Sequence, residues 1–396
     1  MLWLLFLVWG GYALLGQRWR IAPLLDPPEL DLPPTRVVAV VPARNEANEL
    51  PHTLPALLQQ THRDLVVVLV DDHSDDGTAD VARRLTADIR ASDRLVIIDA
   101  PVLPAQWTGK VWAQQQGAER ARELGAEWIW FTDADIRHDS HVLARLLAAG
   151  HCRQRDVVSV MARLRCHTAF EKLLIPAFTY FFAGLYSFLA IGNDASSAAG
   201  AAGGCMLVRV STLDRIGGMA VIRDAVIDDV AFGRACKAVG ARLWLGYDPG
   251  VNSTRGYATL ADIWNMVARS AYTQLGYSPF ALLGCLLGLA FVFLVPMAGI
   301  VFGSGELRLL SALTYIAMLR TYSPMIAYLG CAPAWALGLP LSATLYAGMT
   351  ASSAWRHHVG TGAAWKGRNY GPAVNQREHS PSNSCTMRSH SGAERE

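Results

Sequence analysis

The alternation of short apolar runs with longer helical patterns, between residue 36 and about residue 162, most constrains the fold of this chain. It predicts βαβ units, which form a mostly parallel sheet. The predicted strands are Val37–Val41, Leu65–Val70, Leu95–Ile98, Trp128–Thr132 and Val157–Met161. The predicted helices are Glu49–Gln60, Thr78–Ile89, Val111–Glu123 and His141–Ala149. Because the runs are apolar at nearly every position, both faces of the sheet should be buried, as in a parallel α/β sheet with flanking helices.

Polar clusters follow three of these runs directly. Pro42 to Glu46 follows the first run, Asp71 to Thr78 the second, and Asp133 to Asp135 the fourth. In open α/β sheets, ligands bind beyond the carboxyl ends of the strands. The three clusters should therefore converge on one edge of the sheet.

The spacing of the acidic residues suggests specific chemistry. Asp71 and Asp72 could accept hydrogen bonds from ring N–H groups and sugar hydroxyls, whereas Asp75 or Asp76 would instead cap the following helix. The pair in Asp133–Asp135 favours a hard divalent cation, magnesium or manganese, that also takes phosphate oxygens. The alternative for that pair is an Asp-rich turn.

Two further sites carry charge at predicted helix starts. Lys110 follows Gly109, where the helix dipole favours an anionic group, although a solvent-facing lysine is the alternative. Asp228 and Asp229 lie between apolar residues, where a carboxylate with a raised pKa can act as a general base, and helix capping is again the alternative. No P-loop or G-x-G-x-x-G pattern accompanies them.

The chain is more apolar than an ordinary cytosolic enzyme, with 52% hydrophobic and 17% charged residues. Met1–Gly16 is a short apolar run followed by Arg18 and Arg20, which predicts an uncleaved anchor with its amino end outside. Phe280–Gly303 is long enough to span a bilayer, and Pro333–Ser353 is a second candidate.

Two other apolar stretches are harder to assign. Leu309–Leu319 is a short run that we expect Arg320 and Pro324 to break, which leaves an interfacial piece. Leu173–Ile191 is expected to lie at the membrane surface or to cover the sheet. The net charge of +2 gives no reason to expect a nucleic acid partner. The seven cysteines form no C-x-x-C pair and are expected to be reduced thiols.

These features divide the chain into five predicted regions. They are an N-terminal membrane anchor (1–20), a proline-rich linker (21–35), a cytoplasmic catalytic domain (36–275), a C-terminal membrane region of two spans plus an interfacial segment (276–355), and a basic then disordered tail (356–396).

Taken in order, the motifs resemble those of the family 2 glycosyltransferases, which are inverting enzymes with the so-called A-type fold. Pro42-Ala43-Arg44-Asn45-Glu46 resembles the opening P-x-x-N-E element of that family, and Asp71 to Thr78 resembles its D-D-x-S-x-D-G-T element. Gly109-Lys110, Asp133-x-Asp135 and Ile227-Asp228-Asp229 resemble its G-K, D-x-D and E-D elements. The resemblance covers roughly residues 36 to 275.

The resemblance implies a role for each matched residue. Those expected to bind the nucleotide-sugar are Pro42, Ala43, Asn45, Glu46, Asp71, Asp72, Lys110, Asp133 and Arg269. Asp135, with Asp133, would hold the divalent metal. Asp229, beside Asp228, would be the general base that deprotonates an acceptor hydroxyl. The nucleotide would be uridine in the first instance.

Within the family, Gly200–Arg209 and Asp224–Asp229 are similar to the hopene-associated glycosyltransferases, bacterial membrane proteins linked to hopanoid lipids. One departure is clear, because Met266–Ser270 keeps only Arg269 of the Q/R-x-x-R-W element of processive members. This weakens a polymer-synthase interpretation.

The expected function is transfer of a sugar from a nucleotide-sugar donor to a lipid hydroxyl at the inner face of the cytoplasmic membrane. The expected partners are the donor, the lipid acceptor and the bilayer, with a magnesium or manganese ion as cofactor. A polyprenyl-phosphate glycosyltransferase and a catalytically silent membrane scaffold are the alternatives.

Overall fold

The structure is a computed structural model that describes residues 2–27 and 33–359, together with the backbone of residues 363–365 and 368–370. Part of the predicted linker, including Pro28, and most of the predicted tail therefore lie outside the described residues.

A twisted mixed sheet forms the centre of the molecule. Its strands are β1 (Val37–Ala43), β2 (Leu65–Asp71), β3 (Leu95–Asp99), β4 (Trp128–Thr132), β5 (Ile136–His138), β6 (Val157–Arg163), β7 (Cys205–Arg209) and β8 (Leu243–Ser253). Within the described residues, their order across the sheet is β3-β2-β1-β4-β7-β6-β8-β5. Two short strands, β9 (Ala363–Trp365) and β10 (Arg368–Tyr370), form a separate antiparallel pair.

The five predicted strands are confirmed, with ends that differ by at most two residues. Pairing is parallel from β3 to β4, and between β6 and β8. However, β7 runs antiparallel to both of its neighbours, and β5 runs antiparallel to β8. The sheet is thus more mixed than a pure series of βαβ units would give. The apolar strands β1 and β4 are buried along their whole length, as their composition predicts.

Helices cover the sheet and continue into a C-terminal bundle. Their bounds are α1 (Leu2–Leu15), α2 (Leu50–Leu58), α3 (Thr78–Asp88), α4 (Gly109–Glu123), α5 (Val142–Cys152), α6 (Ala169–Leu185), α7 (Phe188–Ile191), α8 (Val210–Arg215), α9 (Asp228–Ala238), α10 (Leu260–Ala268), α11 (Ala271–Gln274), α12 (Pro279–Leu289), α13 (Val295–Phe302), α14 (Gly305–Tyr328) and α15 (Leu339–His358). Helices α2 to α5 confirm the four predicted ones.

The helix α6 covers one face of the sheet. A capping box at Thr168 begins it, with Glu171 as the reciprocal partner. Leu174 and Ile175 are fully buried in the same apolar cluster as residues of β1 and β4. The segment Leu173–Ile191 is therefore mostly an internal covering helix, which is one of the two expected placements.

The N-terminal helix packs against the C-terminal bundle. Helix α1 contacts α14, and the rings of Trp9 and Phe293 meet edge to face at 5.8 Å. The following segment is also fixed, since the Leu25 amide donates to the carbonyl oxygen of Tyr247 in β8. The two apolar ends of the chain thus form one helical layer.

The prediction that Arg320 and Pro324 break the apolar run was wrong. Helix α14 continues through both residues for 24 residues. The guanidinium of Arg320 lies 4.9 Å from the Trp19 ring centroid, a cation–π contact that accommodates the charge. The charge of Arg320 is thus accommodated inside α14 by a residue near the start of the chain.

One helix among the described residues is both long and apolar enough to cross a membrane. It is Pro279–Phe302, formed by α12 and α13 joined through the π-helical turn Ala290–Leu294. Helix α1, with 14 residues, is shorter. The second predicted span, Pro333–Ser353, is not confirmed, because it comprises the 3-10 turn Pro333–Gly338 and part of α15, which buries much of its surface.

Candidate active site

The carboxyl ends of β1 and β2 are joined by backbone and side-chain hydrogen bonds. The Asp72 amide donates to the Ala43 carbonyl oxygen at 2.8 Å. Arg44 Nη1 donates to the Asp72 carbonyl oxygen at 2.6 Å, and the same nitrogen lies 3.9 Å from Asp72 Oδ2. Ala43 and Asp72 are completely buried, so these interactions fix the two strand ends at the edge of the sheet where the polar clusters were predicted to meet.

Several predicted site residues form hydrogen bonds within and between the loops that follow β1 and β2. Asn45 adopts a left-handed conformation (φ +54°), and its amide donates to Ser74 Oγ at 3.0 Å. Asn45 Oδ1 in turn accepts the Asp75 amide, and Asp71 Oδ1 accepts the Ser74 amide. The side chains of Asn45, Ser74 and Asp71 therefore hold the loop after β1 and the loop after β2 together.

Helix capping at this edge is confirmed for Asp76. Its Oδ1 accepts the Thr78 amide at 3.0 Å, and its Oδ2 accepts the Ala47 amide at 2.9 Å. These hydrogen bonds lower the pKa of the Asp76 carboxyl and outweigh the opposing effect of burial. Asp76 thus has a structural role in both loops.

Lys110 connects two of the acidic clusters. At the start of α4, its Nζ lies 2.8 Å from Asp133 Oδ1 and 3.4 Å from Asp228 Oδ2. Burial alone would lower the pKa of this amine, but the carboxylates of Asp133 and Asp228 raise it above its usual value. Lys110 therefore carries a permanent positive charge between the two acids, which excludes the alternative of a solvent-facing lysine.

Asp135 lies beside Asp133 in the loop from β4 to β5. Burial raises the pKa of the Asp135 carboxyl to about 6, and repulsion from Asp133 adds to the rise. Arg255 opposes the rise with its Nε 3.5 Å from Asp135 Oδ2. The carboxylate is thus held in a place where a positive charge would be stabilised.

Asp229 occupies the first turn of α9. Its Oδ2 accepts the Gly203 amide at 3.2 Å, and its Oδ1 accepts the Val230 amide at 2.8 Å. Burial raises the pKa of Asp229 to about 6, and the neighbouring Asp228 adds to this rise. A carboxylate with a pKa near neutrality is suited to accept a proton in catalysis.

The donor set at Asp133 and Asp135 fits a hard divalent cation. Two partly buried carboxylates repel each other there, and a cation would neutralise that repulsion. Within the described residues, no group of three or more His, Cys, Asp or Glu side chains could hold a metal by itself. Magnesium sites commonly use one or two carboxylates and take the remaining ligands from substrate phosphates and water.

Most of the predicted site residues are thus brought to one edge, but not all make contact with the acidic centre. Glu46 is buried and close enough to raise the pKa of Asp135. Pro42 lies inside β1. Arg269 is exposed at the end of α10, and its charge reaches Tyr257.

Sequence reasoning missed three residues at this site. Arg255 and Thr254 follow β8, and the Thr254 hydroxyl and amide both donate to the Asp135 carbonyl oxygen. Gly203 is the third, because a Cβ there would lie 3.3 Å from Asp229 Cβ and 3.4 Å from Lys110 Nζ. A positively charged residue directly after a strand was the available signal for Arg255, but β8 itself was not predicted.

Comparison with known proteins agrees with this architecture. The mannosyltransferase PcManGT from Pyrobaculum calidifontis, solved with GDP-Man and Mn²⁺, is 18% identical and has a TM-score of 0.53. The similarity covers 90% of this chain and 98% of that one. The chain therefore has a mixed α/β fold of the A-type glycosyltransferase kind.

The sequence comparisons give the class of the central domain. The model of glycosyl transferase family 2 matches residues 38–217. A 4,4'-diaponeurosporenoate glycosyltransferase from Staphylococcus haemolyticus (strain JCSC1435) is 26% identical over 166 residues. That match spans 41% of this chain and 41% of the relative, so it covers about two fifths of the relative's length. Residues 38–217 thus match a glycosyl transferase family 2 domain.

Proposed function

We propose that this protein is a membrane-bound, inverting glycosyltransferase that moves a sugar from a nucleotide-sugar, a UDP-sugar in the first instance, to the hydroxyl of a lipid. The observation that carries the proposal is the acidic centre around Lys110. A positively charged amine there lies between Asp133, in the D-x-D element, and Asp228, which neighbours the partly buried Asp229. Groups for holding a diphosphate and for accepting a proton thus lie side by side.

The reaction can be assigned to residues of this chain. Asp229 takes the proton of the acceptor hydroxyl, and the acceptor oxygen forms a bond to the anomeric carbon of the sugar. The bond from that carbon to the phosphate oxygen breaks, and its electron pair leaves with the nucleoside diphosphate. Attack from the face opposite to the leaving group inverts the anomeric configuration. Lys110 would pair with the negative charge that develops on the diphosphate.

Donor binding would use the edge formed by β1, β2 and β4. The proposed contacts to the nucleotide are Pro42, Ala43, Asn45, Glu46, Asp71, Asp72, Lys110, Asp133 and Arg269. Of these, Asn45 and Asp71 hold the loops in place through their own hydrogen bonds. They would therefore act mainly by shaping the pocket for the base and ribose.

A divalent ion, magnesium or manganese, would be held by Asp135 and Asp133. When bound, it neutralises charge on the departing diphosphate. The Asp135 carboxylate already pairs with the positive charge of Arg255, which supports its proposed role in binding a metal ion. The structural relative from Pyrobaculum calidifontis contains Mn²⁺, which supports this choice.

The membrane assignment is supported by the apolar surface of the helical layer. Exposed large side chains include Leu4 and Leu7 on α1 and Phe280 and Leu287 on α12. Burying such a surface in lipid is favourable, since apolar area in water is costly. We propose an anchor at 1–20, a linker at 21–35, a cytoplasmic domain at 36–275, a membrane region at 276–355 and a tail at 356–396, in the inner membrane of a bacterium.

A hopanoid or related lipid is the proposed acceptor. The support is the similarity of Gly200–Arg209 and Asp224–Asp229 to the hopene-associated glycosyltransferases. The Staphylococcus haemolyticus relative is named for a different acceptor, 4,4'-diaponeurosporenoate.

The test is a donor panel on membranes that contain the full chain. Labelled UDP-sugars and GDP-mannose are incubated with magnesium or manganese and a hopanoid-containing lipid extract, with and without a chelator. We expect metal-dependent label in the lipid phase with one donor. Absence of nucleotide binding with every donor would contradict the proposal and favour a silent scaffold.

A further inference from the structure

A polar pair is separated from the proposed base by the loop that contains Gly200 and Gly203. The Tyr186 hydroxyl, just after α6, donates to Gln274 Oε1 on α11 at 2.5 Å. Neither residue belongs to a motif of the sequence analysis. Both side chains are half-buried, and within the described part of the chain Gln274 Nε2 makes no hydrogen bond. The pair therefore offers N–H donors and a phenol oxygen that can accept, which is the chemistry that recognises hydroxyl groups.

The loop before β7 connects this pair to Asp229. A Cβ on Gly200 would lie 3.6 Å from Tyr186 Cδ1, and three residues later the Gly203 amide donates to Asp229 Oδ2. On the other side, a Cβ on Gly233 of α9 would come within 2.6 Å of the Gly200 carbonyl carbon. Tyr186 and Asp229 thus lie on opposite ends of a four-residue stretch. The Asp229 charge reaches the Tyr186 phenol, whose pKa is raised by burial and then by that charge.

Exposed apolar side chains flank the same pair. Leu185 and Leu189 are 63% and 41% exposed, on either side of Tyr186 in sequence. The end of α6 also meets the segment that follows α1, because Arg18 Nη1 donates to the Gly184 carbonyl oxygen at 3.0 Å. The exposed leucines beside the polar pair thus lie next to the segment that follows α1, and the last residues of that helix, Leu14 and Leu15, are exposed as well.

We propose that Tyr186 and Gln274, with Leu185 and Leu189 beside them, form the acceptor subsite for a lipid that carries a hydroxyl headgroup. The apolar body of the lipid lies along the two leucines, and the polar pair positions one hydroxyl against Asp229. This inference rests on the proposed function. Tyr186 and Gln274 are positioning residues, and Asp229 takes the proton in the step described above.

A neutral acceptor fits this subsite better than an anionic one. Tyr186 and Gln274 carry no charge, and the nearby Asp229 would repel an anion. The exposed Arg234, whose charge also reaches Tyr186, would instead favour a phosphate headgroup. A polyprenyl phosphate is therefore an outcome of the test.

The experiment uses the full chain reconstituted in phosphatidylcholine and phosphatidylglycerol vesicles, with the donor chosen by the panel above. The probes are 1-O-alkylglycerols of about 8, 12 and 16 carbons, and polyprenyl phosphate. The variants are Tyr186→Phe, Gln274→Ala, the double variant, and Leu185→Ser with Leu189→Ser. Tyr315→Phe, which removes a hydroxyl that donates to Leu337 within the helical bundle, is the matched control.

We expect the double variant to raise KM for the alkylglycerols about 10-fold, because hydrogen bonds that position a neutral group typically contribute a factor of this size. KM for the donor and hydrolysis of the donor by water should stay within about twofold of the wild type. The leucine variant should lose the preference for longer alkyl chains. Tyr315→Phe should change none of these values.

Three results would overturn the inference. The first is an unchanged KM for the alkylglycerols in the double variant. The second is transfer by the wild type to polyprenyl phosphate but to none of the alkylglycerols. The third is donor hydrolysis without transfer to any probe. In the first two cases the glycosyltransferase activity stands, and in the third only the nucleotide-sugar site stands. Absence of nucleotide binding and of hydrolysis in the wild type would contradict the proposed function itself.

Discussion

The pKa of Asp229 gives a quantitative prediction for the acid limb of the activity profile. This pKa is raised from 3.8 to about 6, first by burial and then by Asp228. If Asp229 is the base, kcat/KM should fall about tenfold for each pH unit below about 6, because only the ionised carboxylate accepts a proton. Replacing Asp228 by Asn removes the repulsion that raises the pKa of Asp229 but leaves the effect of burial.

We therefore expect Asp228→Asn to move the acid limb to lower pH by about 0.5–1 pH unit, which corresponds to about 1 kcal/mol. The size follows because Asp228 contributes less than burial does to a total rise of about 2 pH units.

The assay is kcat/KM for the donor from pH 4.5 to 8, under conditions where the free enzyme determines the profile. Asp224→Asn, in the same segment, is the matched control and should leave the limb in place. An acid limb that does not move in Asp228→Asn, or that moves to higher pH, would refute the assignment of Asp229.

Three further changes test other parts of the account. Asp135→Asn should reduce metal-stimulated transfer by about 100-fold or more and weaken Mn²⁺ binding measured by calorimetry; unaltered metal dependence would contradict its role. Arg145→Leu breaks a buried bidentate pair with Asp248, at 2.6 and 2.8 Å, and should lower the free energy of unfolding by about 3–5 kcal/mol in a denaturant titration. Because neither residue is among those proposed to bind the donor, nucleotide affinity of the folded fraction should not change. Gly203→Val should crowd Asp229 and reduce kcat by about tenfold or more with normal expression, whereas wild-type activity would show that this space is not used.

The sequence was most informative where local pattern and tertiary structure agree. The runs that became β1, β2 and β4 are apolar throughout, and each is followed by polar residues at the edge where ligands bind. The convergence of the clusters at Pro42–Glu46, Asp71–Thr78 and Asp133–Asp135 could therefore be predicted from chain order. The placement of Lys110 and Asp228 beside Asp133 was implied only by the family resemblance.

Other elements could not be predicted, for identifiable reasons. Strand β8 contains Gly246, Pro249 and Gly250, which usually mark turns, and its pairing with β6 depends on a partner about 86 residues away. Arg255 owes its place in the site to that strand. The subsite at Tyr186 and Gln274 joins residues separated by 88 positions, and nothing in either local sequence indicates the contact.

The helical layer shows the same limit. In the sequence, Arg320 was predicted to end an apolar run. In the structure its guanidinium packs on the ring of Trp19, which lies near the start of the chain. Nothing in the local sequence of either segment indicates this contact.

The most direct test of the central claim is transfer of label into the lipid phase by three forms of the full chain in membranes. They are the wild type, Asp229→Asn and the control Asp224→Asn, compared at equal protein with the selected donor and metal. The account predicts lipid-phase label with the wild type and with Asp224→Asn, and a rate at least about 100-fold lower with Asp229→Asn, although that variant still binds the nucleotide. Equal transfer by Asp229→Asn and the wild type would contradict it.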